Sequence, residues 1–424
     1  MTKRTGKGRR TQAGNEAGRA LAEVLAPLVA GMTATRASLL AWVHAQGVVA
    51  LREVFAAEAA ELAGPKGQHH AERTHHHWGT TATELTLGGR RIQVARPRVR
   101  STTGTEAVLP SVAAWRQRDP LTARVLQQIV LGVSTRGYAG SLEAGPEDVP
   151  TRGTSKSAVS RTLRGRMTAA LETQLSQRLE ALEVLALFLD GVVVARQTVI
   201  VALGLTRDGQ KVPLGLRLGS TENAVVCIEM VQDLLARGLT IADRVLCVID
   251  GGKGLRRALQ DVLGTAAVIQ RCQLHKARNL QALVPKARQG YVRATLRRAY
   301  RAPSATAARR QLKALGTWLE ANGHVDAAAS LREGLDETLT VLTLGLPPRL
   351  RQFFATTNCI ENLIGLVRHV TRNVKRWRDG AMIRRWVSLG LGRAAVRFRR
   401  IKGHRDLAAL AMALRTGATS EAAA

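Results

Sequence analysis

The stretch that most constrains this chain is the run of three β-rich segments from residue 184, "VLALFLDGVVVARQ", "TVIVALGLTRDGQ" and "KVPLGLRLGS". They read as consecutive strands of a buried sheet, with "RDGQ" turning the second back into the third. Inside the first, five apolar residues run straight into Asp190. Burying an unpaired carboxylate costs many kcal/mol, so Asp190 must be paired, protonated or bound to a cation. The text beyond alternates: "ENAVVCIEMVQDLLARGL" has helical spacing, "DRVLCVID" is a buried strand, "GLRRALQDVLG" a helix and "AAVIQRC" another strand. The resulting order βββαβαβ, antiparallel strands first and a crossover strand afterwards, predicts an α/β RNase H-like core.

Three acids stand where such a core can use them. Asp190 lies at the end of an apolar run, Asp250 ends "VLCVID" and is followed at once by "GGKG", and Glu361 opens a helix in "TTNCIENLIG". In an RNase H-like sheet the first and fourth strands are neighbours, which puts Asp190 beside Asp250. Two carboxylates that close repel each other, and a divalent cation removes the cost. With Glu361 added, the set predicts two metal ions about 3.5–4 Å apart. Hard oxygen ligands favour Mg²⁺, or Mn²⁺ in vitro. Singly, each acid has a plainer reading: a strand-end turn residue for either aspartate, or a first-turn acid facing the helix dipole for Glu361. A nucleotide-binding P-loop is disfavoured, because "DGGKG" lacks the G-x-x-x-x-G-K-[ST] spacing.

Charge then narrows the partner. The chain has 63 Lys+Arg against 32 Asp+Glu, a net charge of +31 over 424 residues. Arginine supplies 52 of those cations, and guanidinium forks suit phosphate oxygens. So one-sided a charge repels itself unless a polyanion neutralises it, which predicts nucleic acid. From 368 to 405 there are thirteen Lys+Arg and one acid, Asp379. At roughly 100° per residue, Asn358, Arg368, Arg372, Lys375 and Arg376 all fall within about 60° of Glu361 on a continuous helix. That stripe predicts contact with a DNA backbone, as does Lys253 beside Asp250. The mean hydropathy of −0.06 fits a soluble globular protein with no membrane span. "MTKRTGKGRRTQ" lacks the apolar region of a signal peptide, and four irregularly spaced cysteines predict a reducing cytoplasm.

The rest of the chain divides by pattern. Residues 1–15 are predicted to be a disordered basic tail, and 16–118 to hold two or three helices, to residue 63, and a β-hairpin over 84–101 around Gly88–Gly89. "HHAERTHHHWG" between them carries five of the ten histidines; its spacing matches no standard metal site, and it reads as a surface loop. Residues 119–180 predict a helix-turn-helix: "DPLTARVLQQIVLG", a short second helix in "VSTRGYAGSLEA", then "GTSKSAVSRTLRGRM". In that last helix Ala158, Val159 and Leu163 share one face, while Lys156, Arg161 and Arg164 lie largely off it, free for DNA. The catalytic core is predicted over 181–272 and 351–405, split by an all-α insertion at 273–350, with a tail at 406–424.

The ordered set "LGVSTRG", "LDG", "VIDGGKGL", "QRCQLHKARN" and "TTNCIENLIGLVRHVTRNVKRW" resembles bacterial insertion-sequence transposases of the Mutator type, from about 84 to 405. The resemblance implies a DDE transposase with Asp190, Asp250 and Glu361 as its triad. It also equates Cys272 and His275 with the family's C-x₂-H element, read as structural or DNA-contacting because two ligands alone cannot complete a zinc site. It further implies recognition of double-stranded terminal inverted repeats, metal-dependent strand cleavage and strand transfer. A homodimer or higher oligomer would hold the paired ends, in the bacterial cytoplasm on the nucleoid. The alternatives are a catalytically inactive DNA-binding protein and another RNase H-like nuclease.

Overall fold

The computed structural model describes residues 39, 41–68, 73–117, 120–143, 145, 149–219 and 223–421. The chain divides into two units, Met1–Gly165 and Arg166–Ala424. The disordered tail predicted at 1–15 and the helical pattern before residue 39 lie outside the described residues.

In the first unit, helix α1 spans 41–63. Val48, Phe55, Ala59 and Ala63 recur at helical spacing along it, and all four are buried. Strands β1 (His75–Leu87) and β2 (Arg90–Ser101) form the expected hairpin, with Thr83 opposite Val94 and Leu85 opposite Ile92. Gly88 and Gly89 both take positive φ at its turn (58° and 79°), the two-residue geometry that glycine adopts without steric cost. The apolar side of the hairpin, Leu85, Ile92, Val94 and Val99, packs with the buried face of α1. β1 begins earlier than the sequence pattern suggests. His75, His76 and His77 pair with Ser101, Arg100 and Val99, so this half of the histidine run is strand rather than loop.

A short strand β3 (Glu106–Ala107) adds to β2, followed by α2 (Pro110–Gln117) and α3 (Pro120–Val130). Leu121, Val125, Ile129 and Val130 of α3 are buried, as their spacing requires. The second helix expected in "VSTRGYAGSLEA" is only a 3-10 turn, Ala139–Ser141. Gly137 and Gly140 weaken helix there, and Tyr138, fully buried, fixes the segment by donating its hydroxyl to Gly89 O at 2.8 Å. Strand β4 (Thr151–Arg152) then pairs with β2. Helix α4 (Lys156–Ser176) follows, with Val159 and Leu163 buried and Lys156, Arg161 and Arg164 exposed. The boundary between the units falls inside α4.

The second unit is built on a five-stranded sheet. β5 (Val184–Val194), β6 (Gln197–Thr206) and β7 (Lys211–Gly219) are antiparallel, and the β6–β7 turn is the predicted "RDGQ". Helix α5 (Ala224–Ala236) leads to β8 (Val245–Ile249), and α6 (Lys253–Leu263) to β9 (Ala267–Arg271). β8 runs parallel to β5, and β9 to β8, giving the order β7-β6-β5-β8-β9. Alternate residues face two separate cores. Phe188, Val201 and Val248 join one, while Leu189, Ile200 and Cys247 join the other, against α5 and α6. Burial on both faces is why these strands read as unbroken apolar runs.

After β9 the chain is helical: α7 (Gln273–Ala282), α8 (Lys286–Tyr300), α9 (Ala305–Ala321), α10 (Val325–Arg332), α11 (Thr340–Thr343) and α12 (Pro348–Phe354). Leu280, Val292, Leu296, Leu312, Leu319 and Leu331 give the helical segment a core of its own. The chain then returns to the sheet with α13 (Asn358–Thr371) and α14 (Gly380–Arg397), and ends in α15 (Leu407–Glu421). Ile360, Leu363, Ile364 and Val367 of α13 close the core under β5 and β6. No helix of the described residues is long and apolar enough to cross a membrane.

Candidate active site

Strand register fixes the two aspartates. Leu189 of β5 lies opposite Ile249 of β8, and the next residue of each strand is Asp190 and Asp250. Both carboxylates are half-buried. Asp190 Oδ1 accepts from Gly191 N at 2.8 Å, and Asp250 Oδ1 accepts from Gly252 N at 2.8 Å. β5 continues past Asp190, but β8 stops at Ile249. Gly251 has φ of 108°, and a Cβ there would come within 2.8 Å of Arg271 Nε. Arg271, 3% exposed at the end of β9, donates Nη2 to Gly251 O and Nη1 to Glu333 O, both at 2.9 Å. Its charge faces Glu333 at 3.5 Å and Glu337 at 3.6 Å. The turn that carries Asp250 is thereby tied to the next strand and to the helical segment.

Glu361 arrives in the first turn of α13, which packs against β5. Thr357, fully buried, occupies the N-cap of that helix but makes no side-chain cap bond. Its hydroxyl donates instead to Glu361 Oε1 at 2.7 Å. The same residue meets Cys272: Thr357 N and Oγ1 both lie 3.4 Å from Cys272 Sγ. Cys272 caps α7, accepting from His275 N at 3.5 Å. Its own backbone N donates to Ile249 O at 2.8 Å. One cysteine therefore joins the ends of β8 and β9 to the starts of α7 and α13. His275 completes the group, with Nε2 3.9 Å from Glu361 Oε1 and Nδ1 3.3 Å from Thr357 Oγ1.

The electrostatics follow from these contacts. Burial pushes the Cys272 thiol up, but the hydrogen bonds from His275 and Thr357 together outweigh it and hold the thiol below its ordinary value. His275 is raised, first by its hydrogen bond to Cys272 and against burial; the charges of Glu361 and Asp250 add to the rise. Lys276, next along α7, is pushed down to about 8 by burial and by Arg271. A cleft of about 270 Å³ is lined by Asp250, Gly252, His275, Lys276, Asn279 and Glu333, among others. Among the described residues, Cys272, His275 and Glu361 are the one set of three potential ligands within 4.8 Å of one another. Asp190 and Asp250 are not members of that set, and neither are the described histidines His75, His76 and His77.

The predicted DNA-contacting residues distribute unevenly. Lys253 is exposed at the start of α6, immediately after the Asp250 turn, and Asn358 is exposed one turn ahead of Glu361. Arg368 and Arg372 are exposed at the end of α13. Lys375 and Arg376, though exposed, are not on the helix with Glu361, because α13 ends at Thr371. Val374 N turns back to Thr371 O at 3.0 Å, and Trp377 packs against the core. Burying an indole outweighs one more turn of solvated helix. Thr357, Arg271 and Lys276 escape sequence reasoning, since nothing local marks a threonine or an arginine as the support of a distant acid.

A family model described as "Transposase, Mutator family" matches residues 42–399. This chain belongs to the Mutator family of transposases. The match to the Mutator family contains every residue singled out above, from Lys156 to Arg376. Curated relatives agree. The transposase for insertion sequence element IST2 of Acidithiobacillus ferrooxidans is 30% identical over 197 residues, 46% of this chain and 63% of that protein. A probable insertion-element transposase of Corynebacterium diphtheriae is 31% identical over 184 residues, 43% and 52% of the two chains. The transposase for IS905 of Lactococcus lactis is 27% identical over 292 residues, 66% and 70%. The chain thus spans between half and two thirds of the length of the first two.

Proposed function

We propose that this chain is a DDE transposase that binds the terminal inverted repeats of an insertion sequence, cleaves DNA strands and transfers them. The observation that carries the reading is the parallel pairing of β5 with β8, which sets Asp190 beside Asp250, with Glu361 entering from the helix packed on β5. The strand order, three antiparallel strands and two parallel ones added next to the first, supports an RNase H-like core over 181–272 and 351–405, split by the insertion at 273–350.

The donor set suits a hard divalent cation: three carboxylates, one within β5, one just past β8 and one on α13, with Asp250 lining a small polar cleft. We assign Mg²⁺, or Mn²⁺ in vitro, at two ions per site, the arrangement with which carboxylate sets serve both the attacking and the leaving oxygen of a phosphodiester. Such ions, when bound, supply Lewis acidity for an attacking water or 3′-hydroxyl and for the leaving oxygen. The protein's own share is positional. Asp190 and Asp250 are fixed by strand register and by Gly191 and Gly252 N–H groups. Thr357 holds Glu361 by one oxygen. Lys253 and the N-terminus of α6 face a phosphate with positive charge. Arg368, Arg372, Lys375 and Arg376 track the strand backbone. Lys156, Arg161 and Arg164, exposed on α4, are assigned to reading the repeats in double-stranded DNA. Paired ends imply a homodimer or higher oligomer, working in the cytoplasm on the nucleoid.

The test uses purified protein, Mg²⁺ and a duplex carrying the terminal repeat. Asp190→Asn, Asp250→Asn and Glu361→Gln should each abolish cleavage and leave DNA binding and the far-UV spectrum unchanged. A variant that cleaves at the parental rate removes its residue from the triad. Uncut strands from the parent at every Mg²⁺ concentration would leave a DNA-binding protein without chemistry. Cleavage without strand-transfer products would leave a nuclease.

A further inference from the structure

We propose that Cys272, His275 and Glu361 form a site for one thiophilic divalent ion, Zn²⁺ in the cell, and that its occupation excludes the use of Glu361 in the all-carboxylate set. Sequence offers only two of these ligands, one helical turn apart at the start of α7. The fold brings the third from α13, and one atom from each of the three side chains lies within 4.8 Å of the others. A tetrahedral zinc site with bonds of about 2.0–2.3 Å needs ligand atoms roughly 3.3–3.6 Å apart. His275 Nε2 and Glu361 Oε1 are already at 3.9 Å, so small side-chain rotations close the set. Three protein ligands and one open position is a coordination number that zinc sites use.

Each ligand also has the outer support that metal ligands need. Cys272 Sγ accepts backbone N–H groups of His275 and Thr357, which suits a thiolate. Thr357 Oγ1 lies 2.7 Å from Glu361 Oε1 and 3.3 Å from His275 Nδ1, so one buried hydroxyl orients two of the three ligands. Such outer partners are worth about 10- to 100-fold in metal affinity. The donor chemistry separates this set from its neighbour: thiolate and imidazole select Zn²⁺ or Co²⁺, and carboxylates alone select Mg²⁺ or Mn²⁺. Because Glu361 belongs to both, the two kinds of ion compete for one side chain. Binding of the thiophilic ion stands on its own; its effect on cleavage rests on the proposed function.

The experiment titrates metal-stripped protein with Co²⁺ under reducing conditions and reads the near-ultraviolet thiolate-to-cobalt charge-transfer band. One equivalent should saturate the band, and Zn²⁺ should displace it. Cys272→Ser should lose it, Thr357→Val should weaken cobalt binding about 10- to 100-fold, and Asp190→Asn should leave it intact. No band in the parent, or an equal band in a Cys272→Ser protein with an unchanged far-UV spectrum, overturns the proposal. Should Cys272→Ser fail to fold, His275→Gln must lower cobalt affinity, and unchanged affinity overturns the site. In the cleavage assay with Mg²⁺, activity should fall as Zn²⁺ fills the site, and full activity at saturating Zn²⁺ overturns the exclusion. A protein that gives the cobalt band but never cuts DNA keeps this site and refutes the proposed cleavage and strand transfer.

Discussion

Arg271 shows how a single side chain can hold a candidate catalytic acid without touching it. It binds the carbonyl of Gly251, one residue beyond Asp250, and is neutralised by Glu333 and Glu337. Glu333 is half exposed and Glu337 keeps its ion pair with Arg256, so losing Arg271 costs chiefly its hydrogen bonds to the carbonyls of Gly251 and Glu333, about 1–3 kcal/mol for a polar group left unsatisfied. Arg271→Leu should therefore lower the unfolding free energy by about 2 kcal/mol, measured by denaturant titration; a loss under about 0.5 kcal/mol would mean that water already satisfies these carbonyls. The three acids stand out in the sequence because each adjoins an apolar run. Arg271 does not, being one of 52 arginines. Thr357 hides for a different reason. A threonine before a helix reads as an N-cap, whereas here φ of −80° and ψ of 8° leave it uncapping and aim its hydroxyl at Glu361.

Elements were legible where burial was uniform. β5 to β9 read clearly because both sheet faces are covered, and the hairpin β1–β2 because Gly88–Gly89 can supply the turn. The readings that fell short depend on tertiary contact. His75–His77 become strand by pairing with β2, a buried Tyr138 pins the segment that composition offered as helix, and α13 stops where Trp377 finds the core. That last point divides the basic stripe. Arg368 and Arg372 sit four residues apart at the end of α13, while Lys375 and Arg376 sit on the loop beyond. Each phosphate contact contributes about 0.9 to the slope of log affinity against log salt. Arg372→Ala should weaken DNA binding and make the slope shallower by about 1, read by fluorescence anisotropy across salt concentrations. An unchanged slope would show that Arg372 neutralises no phosphate.

At the scale of the whole molecule, the pH dependence of stability has a defined sign. Burial pushes Cys247 up to about 12, Tyr300 to about 12 and Cys359 to about 11. In the unfolded chain thiols ionise near about 8.5 and tyrosine near about 10, so the folded protein binds more protons than the unfolded one above those values. Stability from these groups is complete below about pH 8.5 and is lost on the way to about 12. Lys276, held down to about 8, works in the opposite sense, so a variant must be compared with its parent. Tyr300→Phe should lose less stability between pH 10 and 12 than the parent, followed by urea unfolding; equal losses would place the phenol in water.

The order in which the sheet's partners occur along the chain has a further consequence. Both aspartates are translated before residue 251, yet Glu361 follows the helices α7 to α12. A chain ending anywhere in those helices would hold the five strands but lack both Glu361 and the apolar side of α13, whose Ile360, Leu363, Ile364 and Val367 close the core under β5 and β6. The sheet's core and the candidate set of acids are therefore completed together, by a segment translated late.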